Sequence, residues 1–143
     1  FLIEEGIDIN RTDQGGFTAL MVACEAAKAS ADLVKKLIEK GADVNARSGR
    51  GSTALMAAAK IGHADIVSML LSKGADINAR NTDHNVTPLI WAANGGHLTI
   101  VKYLLEKGAD AKIVTQNGYT AASIARENGH HYEADAIDKH LSS

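Results

Sequence analysis

The chain has 143 residues, of which 45% are apolar and 22% charged, a balance that supports a buried core and excludes a disordered or acidic tail. Lys and Arg number 15 against 17 Asp and Glu, a net charge of -2, so there is no global field to draw a nucleic acid or a membrane surface. The apolar runs are only a few residues long, far short of a bilayer span, and the single Cys24 excludes an internal disulfide framework and suits a reducing compartment such as the cytoplasm.

Aromatics make up 4% of the residues and proline occurs once, against 13 glycines. This composition suits short, closely packed helices separated by glycine turns, and disfavours the alternating Val, Thr, Tyr and Phe of a sandwich or barrel. The chain also repeats itself. The stretch from Gly41 reads G-A-D-V-N-A-R and that from Gly74 reads G-A-D-I-N-A-R, with related copies at Gly6 and Gly108, at spacings of 35, 33 and 34. A second marker, T-A-L-M at Thr18 and Thr53, T-P-L-I at Thr87 and T-A-A-S at Thr120, recurs at 35, 34 and 33. Two independent markers in one period define units that bury their apolar faces against one another.

In chain order, residues 1–12 are a partial unit. Phe1-Leu2-Ile3-Glu4-Glu5-Gly6 matches the end of a second helix, with Leu2 and Ile3 in the places of Leu70 and Leu71, so more repeat or capping sequence is expected before Phe1. Units at 13–47, 48–81, 82–114 and 115–143 follow. In each, Gly16, Gly51, Asn85 or Gly118 precedes the threonine by two residues, a residue type that accepts positive φ in a tight turn. The threonine then caps a short first helix, and Pro88 falls at a first helical position. Gly62, Gly96 and Gly129 stop this helix, with His63, His97 and His130 directly after.

A second helix carries apolar residues at helical spacing, as in Ile66, Val67, Leu70 and Leu71, or Ile100, Val101, Leu104 and Leu105. Gly74 or Gly108 ends it, and the D-I-N-A-R stretch that follows is expected to be the extended arm of a hairpin. The last unit departs from this pattern. Glu133-Ala134 and Ile137-Asp138 stand where the others carry I-V and L-L, and Arg126 replaces a small residue. We expect a cap with a polar outer face, on which Ile124, Ala134, Ile137 and Leu141 still point inward.

These submotifs, T-P-L, A-A, G-H, I-V, L-L and G-A-D-I-N in order, make the chain resemble the ankyrin-repeat family, whose unit runs to about 33 residues. The resemblance covers essentially the whole chain. It implies an all-α ankyrin-repeat solenoid of helix-turn-helix units with β-hairpins, about four repeats with a partial one at the N-terminus. Three departures stand out. The histidine of T-P-L-H is replaced by Met21, Met56, Ile90 and Ser123, so the hydrogen bonds it makes in the family need substitutes. The first complete unit has two extra residues in E-A-A-K-A-S-A-D, and the hairpin at 81–86 has one, so its tip should project differently.

Catalytic readings find little support. Cys24 occupies a place that is usually a small core alanine in the family, and no activating partner accompanies it. His130, His131 and His140 invite a metal reading, but adjacent helical residues point about 100° apart and no metal-ligand spacing occurs. The phosphate-cradling and nucleophile-elbow glycine motifs are absent. Neither a cofactor nor a metal is expected. Trp91 stands where the family usually has Leu, and packing between helices is the preferred reading over a stacking platform. Asn45 and Asn78 match asparagines that are hydroxylated in some family members, but a turn-stabilising role is preferred.

The resemblance implies a non-enzymatic protein-protein interaction module that holds its partner on hairpin tips and the concave face of the first helices. The alternatives are a targeting or regulatory arm of a larger enzyme or channel, and a nucleotide-like ligand sensor at Trp91. Carrying over the family's variable contact positions selects Gln14, Gly15, Phe17 and Glu25, then Arg47, Gly49, Arg50, Ser52, Lys60 and Ile61. The third unit gives Arg80, Asp83, His84, Val86 and Asn94, and the fourth Gln116, Asn117, Tyr119, Glu127 and Asn128. Arg47, Arg50, Lys60 and Arg80 should gather near the middle with Phe17, Val86 and Tyr119 beside them. The expected partner is a protein or peptide with an acidic segment next to an apolar anchor, with no nucleic acid, metal or membrane insertion involved.

Overall fold

A computed structural model describes residues 8–143; the half unit read at Phe1 to Gly6 lies outside them. The described residues form the helices α1 (Ala19–Glu25), α2 (Ala31–Glu39), α3 (Ala54–Ile61), α4 (Ala64–Ser72), α5 (Pro88–Gly95), α6 (Leu98–Glu106), α7 (Ala121–Glu127) and α8 (His131–Ser142). Every odd-numbered helix starts at its threonine. The hydroxyls of Thr18, Thr53, Thr87 and Thr120 accept from the amides of Met21 (3.3 Å), Met56 (3.3 Å), Ile90 (3.2 Å) and Ser123 (3.1 Å), satisfying one otherwise orphaned donor per helix.

The turn residues also behave as their types dictate. Asn85, the one asparagine at a place the other units give to glycine, takes φ 60, a left-handed conformation that asparagine tolerates. Helices α3 and α5 end on Gly62 and Gly96 in the left-handed region. Helix α1 has no such glycine. The extra residues there lengthen the link, and Ser30 caps α2 by accepting from the Leu33 amide at 3.2 Å.

The missing T-P-L-H histidine is replaced in one unit only. Ser123 donates to the Thr120 carbonyl and accepts from the Thr120 amide at 2.8 Å, closing a capping box. Met21, Met56 and Ile90 instead go into the core, each 3% exposed or less, and no polar substitute is made.

The helices stack in two rows, α1-α3-α5-α7 and α2-α4-α6-α8, with each odd helix also packed on its even successor. The odd row is rich in buried alanine, including Ala58, Ala59, Ala92, Ala93 and Ala125 at 0% exposure. The even row interposes Leu37, Leu70, Leu104 and Tyr103. Small side chains in the odd row let the backbones of neighbouring odd helices come close.

The arms that follow the even helices are turns. Among the described residues no strand forms: beyond the tight-turn bonds of Gly16, Gly51 and Gly118, the arms of each hairpin share one backbone bond, Asp13 to Phe17, Ser48 to Ser52, Asn81 to Val86 and Thr115 to Tyr119, at 3.0, 2.9, 3.1 and 2.8 Å. The tips are joined instead to one another, through Gly49 N to Gly15 O, Thr82 N to Arg50 O and Gln116 N to His84 O at 2.8–2.9 Å. The extra residue of the third hairpin is absorbed by Asn81, whose side chain accepts from the amides of His84 and Val86. That tip therefore stays in the row.

Two further joints lock adjacent units. Asn45 donates to the Gly74 carbonyl at 3.0 Å and accepts from the Asp76 amide at 2.7 Å; Asn10 does the same one unit earlier, and Asn78 accepts from Asp110 one unit later. His63 reaches back to the Ala26 carbonyl at 2.8 Å and His97 to that of Lys60 at 3.0 Å. The His97 ring lies where a Cβ at Gly62 would sit, and the His130 ring where one at Gly96 would, so glycine and histidine belong to one joint.

The last unit corrects the sequence reading in two places. Glu133, expected on a polar outer face, is 6% exposed, in the position Ile66 and Ile100 hold in their helices, while Leu141, expected inside, is 43% exposed. Ala134 and Ile137 are buried and Ile124 is partly buried against the core, as the pattern required. Asp138 and Arg126 form an ion pair on the outside.

Candidate functional site

Counting from each capping threonine places three columns of side chains along the odd row. The residues just before it are Phe17, Ser52, Val86 and Tyr119; those four after it are Val22, Ala57, Trp91 and Ile124; those seven after it are Glu25, Lys60, Asn94 and Glu127. The helical period brings these last two columns onto the same side of the first helices. Their members differ from unit to unit, and the relief of the face follows from those differences.

The middle of the face dips. Ser52 and Ala57 are small, and both are flanked by larger side chains, Phe17 on one side and Trp91 on the other. The recess holds about 80 Å³ and is floored by Met21 and Met56, with Glu25 and Lys60 also lining it. The Lys60 ammonium lies 4.9 Å from the centroid of the Trp91 ring, within cation–π range. Trp91 is half-buried and packs against the core, so helix packing and a place in the recess wall are both its roles. The recess is well below the roughly 300 Å³ at which small-molecule pockets begin.

The other residues selected from sequence are mostly engaged with each other. Arg50 pairs with Asp83 at 3.3 Å, its own side chain 83% exposed. The Arg47 guanidinium donates to the Arg80 carbonyl. Asn128 donates to the Asn94 side chain at 2.7 Å. The Tyr119 hydroxyl is hydrogen-bonded to Glu127, and that bond together with the carboxylate's charge pushes the phenol pKa up. Gln14, His84, Gln116 and Asn117 are exposed at the tips and Ile61 is half-buried at the end of α3. Val86 is 9% exposed: its column position is right, but the core takes it, and it offers no apolar surface. The cations also divide. Arg47 and Arg50 are held at neighbouring tips and Arg80 is exposed beside them, whereas Lys60 lies over Trp91.

The contact positions carried over from the family leave out Met21, Met56, Ala57 and Trp91, which line the recess. The signal was present in the columns, where small residues in one unit sit between large ones in the units on either side.

Cys24 is fully buried, and desolvation pushes its thiol up to about 12, so at neutral pH it is a core thiol rather than a thiolate nucleophile. Among the described residues no group of three His, Cys, Asp or Glu side chains is placed to hold a metal ion, and no helix is long and apolar enough to cross a membrane. A second recess of about 640 Å³ lies on the opposite row between α6 and α8, lined by Leu98, Leu105, Tyr132 and Ala136 among others. Its origin is local. Ala136 takes the helical position that Tyr103 has in α6, and Tyr103 reaches Ser68 at 3.2 Å across the corresponding α4–α6 seam.

A two-row helical solenoid whose first helices are capped by threonine and whose units are joined by glycine-histidine turns and asparagine bridges defines a class of repeat protein built to present an extended face. A family model described as ankyrin repeats (three copies) matches residues 1–81, 26–115 and 80–136. The chain belongs to the ankyrin-repeat family, whose members generally serve as protein-interaction modules. Comparison with curated proteins finds no match.

Proposed function

We propose that the chain is a non-enzymatic binding module that holds a protein or peptide partner across the turn tips and the concave row of first helices, the partner presenting an acidic segment beside an apolar anchor. The observation that supports this is the arrangement of the face itself. An apolar recess lies between aromatic walls, with Lys60 at its edge and Arg50 and Arg80 exposed at the tips beyond. Aromatic and arginine side chains are what interface centres concentrate, and exposed cations around them steer an acidic partner in a salt-dependent way.

The test is capture of a partner followed by charge reversal. Arg80→Glu, alone and with Arg50→Glu, is expected to weaken binding at least tenfold, or about 1.4 kcal/mol, with unchanged circular dichroism. The single variant matters because a glutamate at position 50 would face Asp83 and add an internal repulsion. Unchanged affinity in both variants with the fold intact would move the interface to the other row.

A further inference from the structure

We propose that the recess between Phe17 and Trp91 is a single-residue anchor socket: it takes one aliphatic side chain of Val to Leu or Met size from an extended peptide, and a carboxylate next to that side chain sits on Lys60. This rests on the protein-binding reading and deepens it by naming the residue class that is recognised.

The size of the socket sets the first half of the claim. About 80 Å³ is the share of roughly three water molecules at about 30 Å³ each. That is room for a branched aliphatic side chain. The socket exists because one unit supplies Ser52 and Ala57 where its neighbours carry bulk. Its floor is the sulfur-containing side chains of Met21 and Met56, which are soft enough to adapt around Val, Ile, Leu or Met. A ligand this small gains little affinity alone, so the side chain must be carried by a longer chain that also touches the rim.

Charge sets the second half. Lys60 lies over Trp91, and among the described residues no carboxylate pairs with it. The cation–π contact fixes the ammonium beside the socket and leaves its other side open to an incoming anion. Glu25 lines the socket from the preceding unit and repels that anion. The two rims therefore give the bound peptide a direction, with its acidic residue toward the third unit and away from the first. Arg50, already paired with Asp83, contributes less of its charge to this choice.

Panning a phage library of random dodecapeptides on the whole chain tests the proposal. Enriched peptides are then titrated against the chain while following emission from Trp91, its one tryptophan. The expected consensus is one Val, Ile, Leu or Met with an Asp or Glu close beside it, and saturation should shift the Trp91 emission. Ala57→Leu and Ser52→Phe each fill the socket and should weaken these peptides at least about tenfold with unchanged circular dichroism. Lys60→Glu should turn the preferred neighbour from acidic to basic.

Peptides that leave Trp91 unmoved and bind both filled variants as tightly as the wild type overturn the socket. A consensus without an aliphatic residue does the same. Neither result touches the protein-binding reading, which stands or falls on the captured partner and Arg80→Glu. If panning enriches nothing while Arg80→Glu still weakens a captured partner, the socket alone is overturned.

Discussion

Replacing Gly62 by alanine tests whether the glycine-histidine turn is a joint between units or only a local helix stop. Gly62 has φ 101, and a Cβ there would stand 2.7 Å from Cε1 and 2.8 Å from Nδ1 of His97. Two costs follow. Holding alanine in the left-handed region costs about 1–2 kcal/mol. The imidazole must also move, and losing its bond to the Lys60 carbonyl, 3.0 Å long, costs about 0.5–1.5 kcal/mol. The expected loss is therefore roughly 1.5–3.5 kcal/mol. His97→Ala alone should cost roughly 1–2 kcal/mol, from the same bond and the lost packing.

In the double variant the new methyl meets no ring, so only the backbone cost is added to the loss of the histidine. The two substitutions should then fall short of additivity by about 1 kcal/mol, the value of the bond that both remove. Urea unfolding followed by circular dichroism and by Trp91 fluorescence measures this, with coincident curves and equal slopes as the condition for comparing free energies. Additivity to within about 0.3–0.5 kcal/mol would mean that the cap and the ring are energetically separate, and the joint would be refuted.

Other expectations are simpler. Asn45→Ala removes the bonds to Gly74 and Asp76; both partners are exposed and water recovers part of the loss, so urea unfolding should show about 1 kcal/mol. Asn117→Ala, at an exposed tip, should stay within about 0.5 kcal/mol of the wild type. The Cys24 thiol, raised from the ordinary 9.0 to about 12, should resist a thiol reagent until the chain unfolds. The folded thiol keeps a proton that the unfolded one loses above pH 9, so its contribution is full below that value and declines as pH rises toward 12. Cys24→Ala should flatten that part of a stability-against-pH curve. Asp138→Leu removes a surface ion pair worth under about 1 kcal/mol and places leucine one turn from the exposed Leu141. Self-association by light scattering is expected, and an unchanged monomer mass at high concentration would contradict it.

The parts of the fold legible in the sequence are those with a local cause. A threonine accepts from an amide three residues on, and a positive φ calls for glycine or asparagine, so helix starts and turn residues follow from nearest neighbours. The joints were harder to see. His97 sits at the N-terminus of α6 without capping it, and its partner is the Lys60 carbonyl, 37 positions earlier. Spacing along the chain shows that the histidine recurs but not what it bonds. Hairpins were expected from the extended D-I-N-A-R stretches, yet the Asn side chains bond the following unit and leave one rung per turn. Glu133 and Leu141 were misplaced for a related reason. Helical position outweighs polarity in α8: the position of Glu133 faces the core, while Leu141, near the end of the helix, is exposed.

Internal repetition lets the chain act as its own comparison set, which is what makes the candidate face readable. Positions that stay alike from unit to unit make bonds the fold needs: the threonine caps start each first helix from within the unit, and the glycine-histidine turns and the Asn10, Asn45 and Asn78 bridges hold neighbouring units together. Their identity is dictated by a fixed partner, in the same helix for the threonines, in the preceding unit for the histidines and in the next one for the asparagines. Positions that change, Phe17 to Ser52 or Ala57 to Trp91, lie where the stack makes no such demand, and there the side chain is free to shape the surface. A socket can form on such a face only where small residues in one unit are set between large ones in its neighbours, and Ser52 and Ala57 meet that condition together in the same unit.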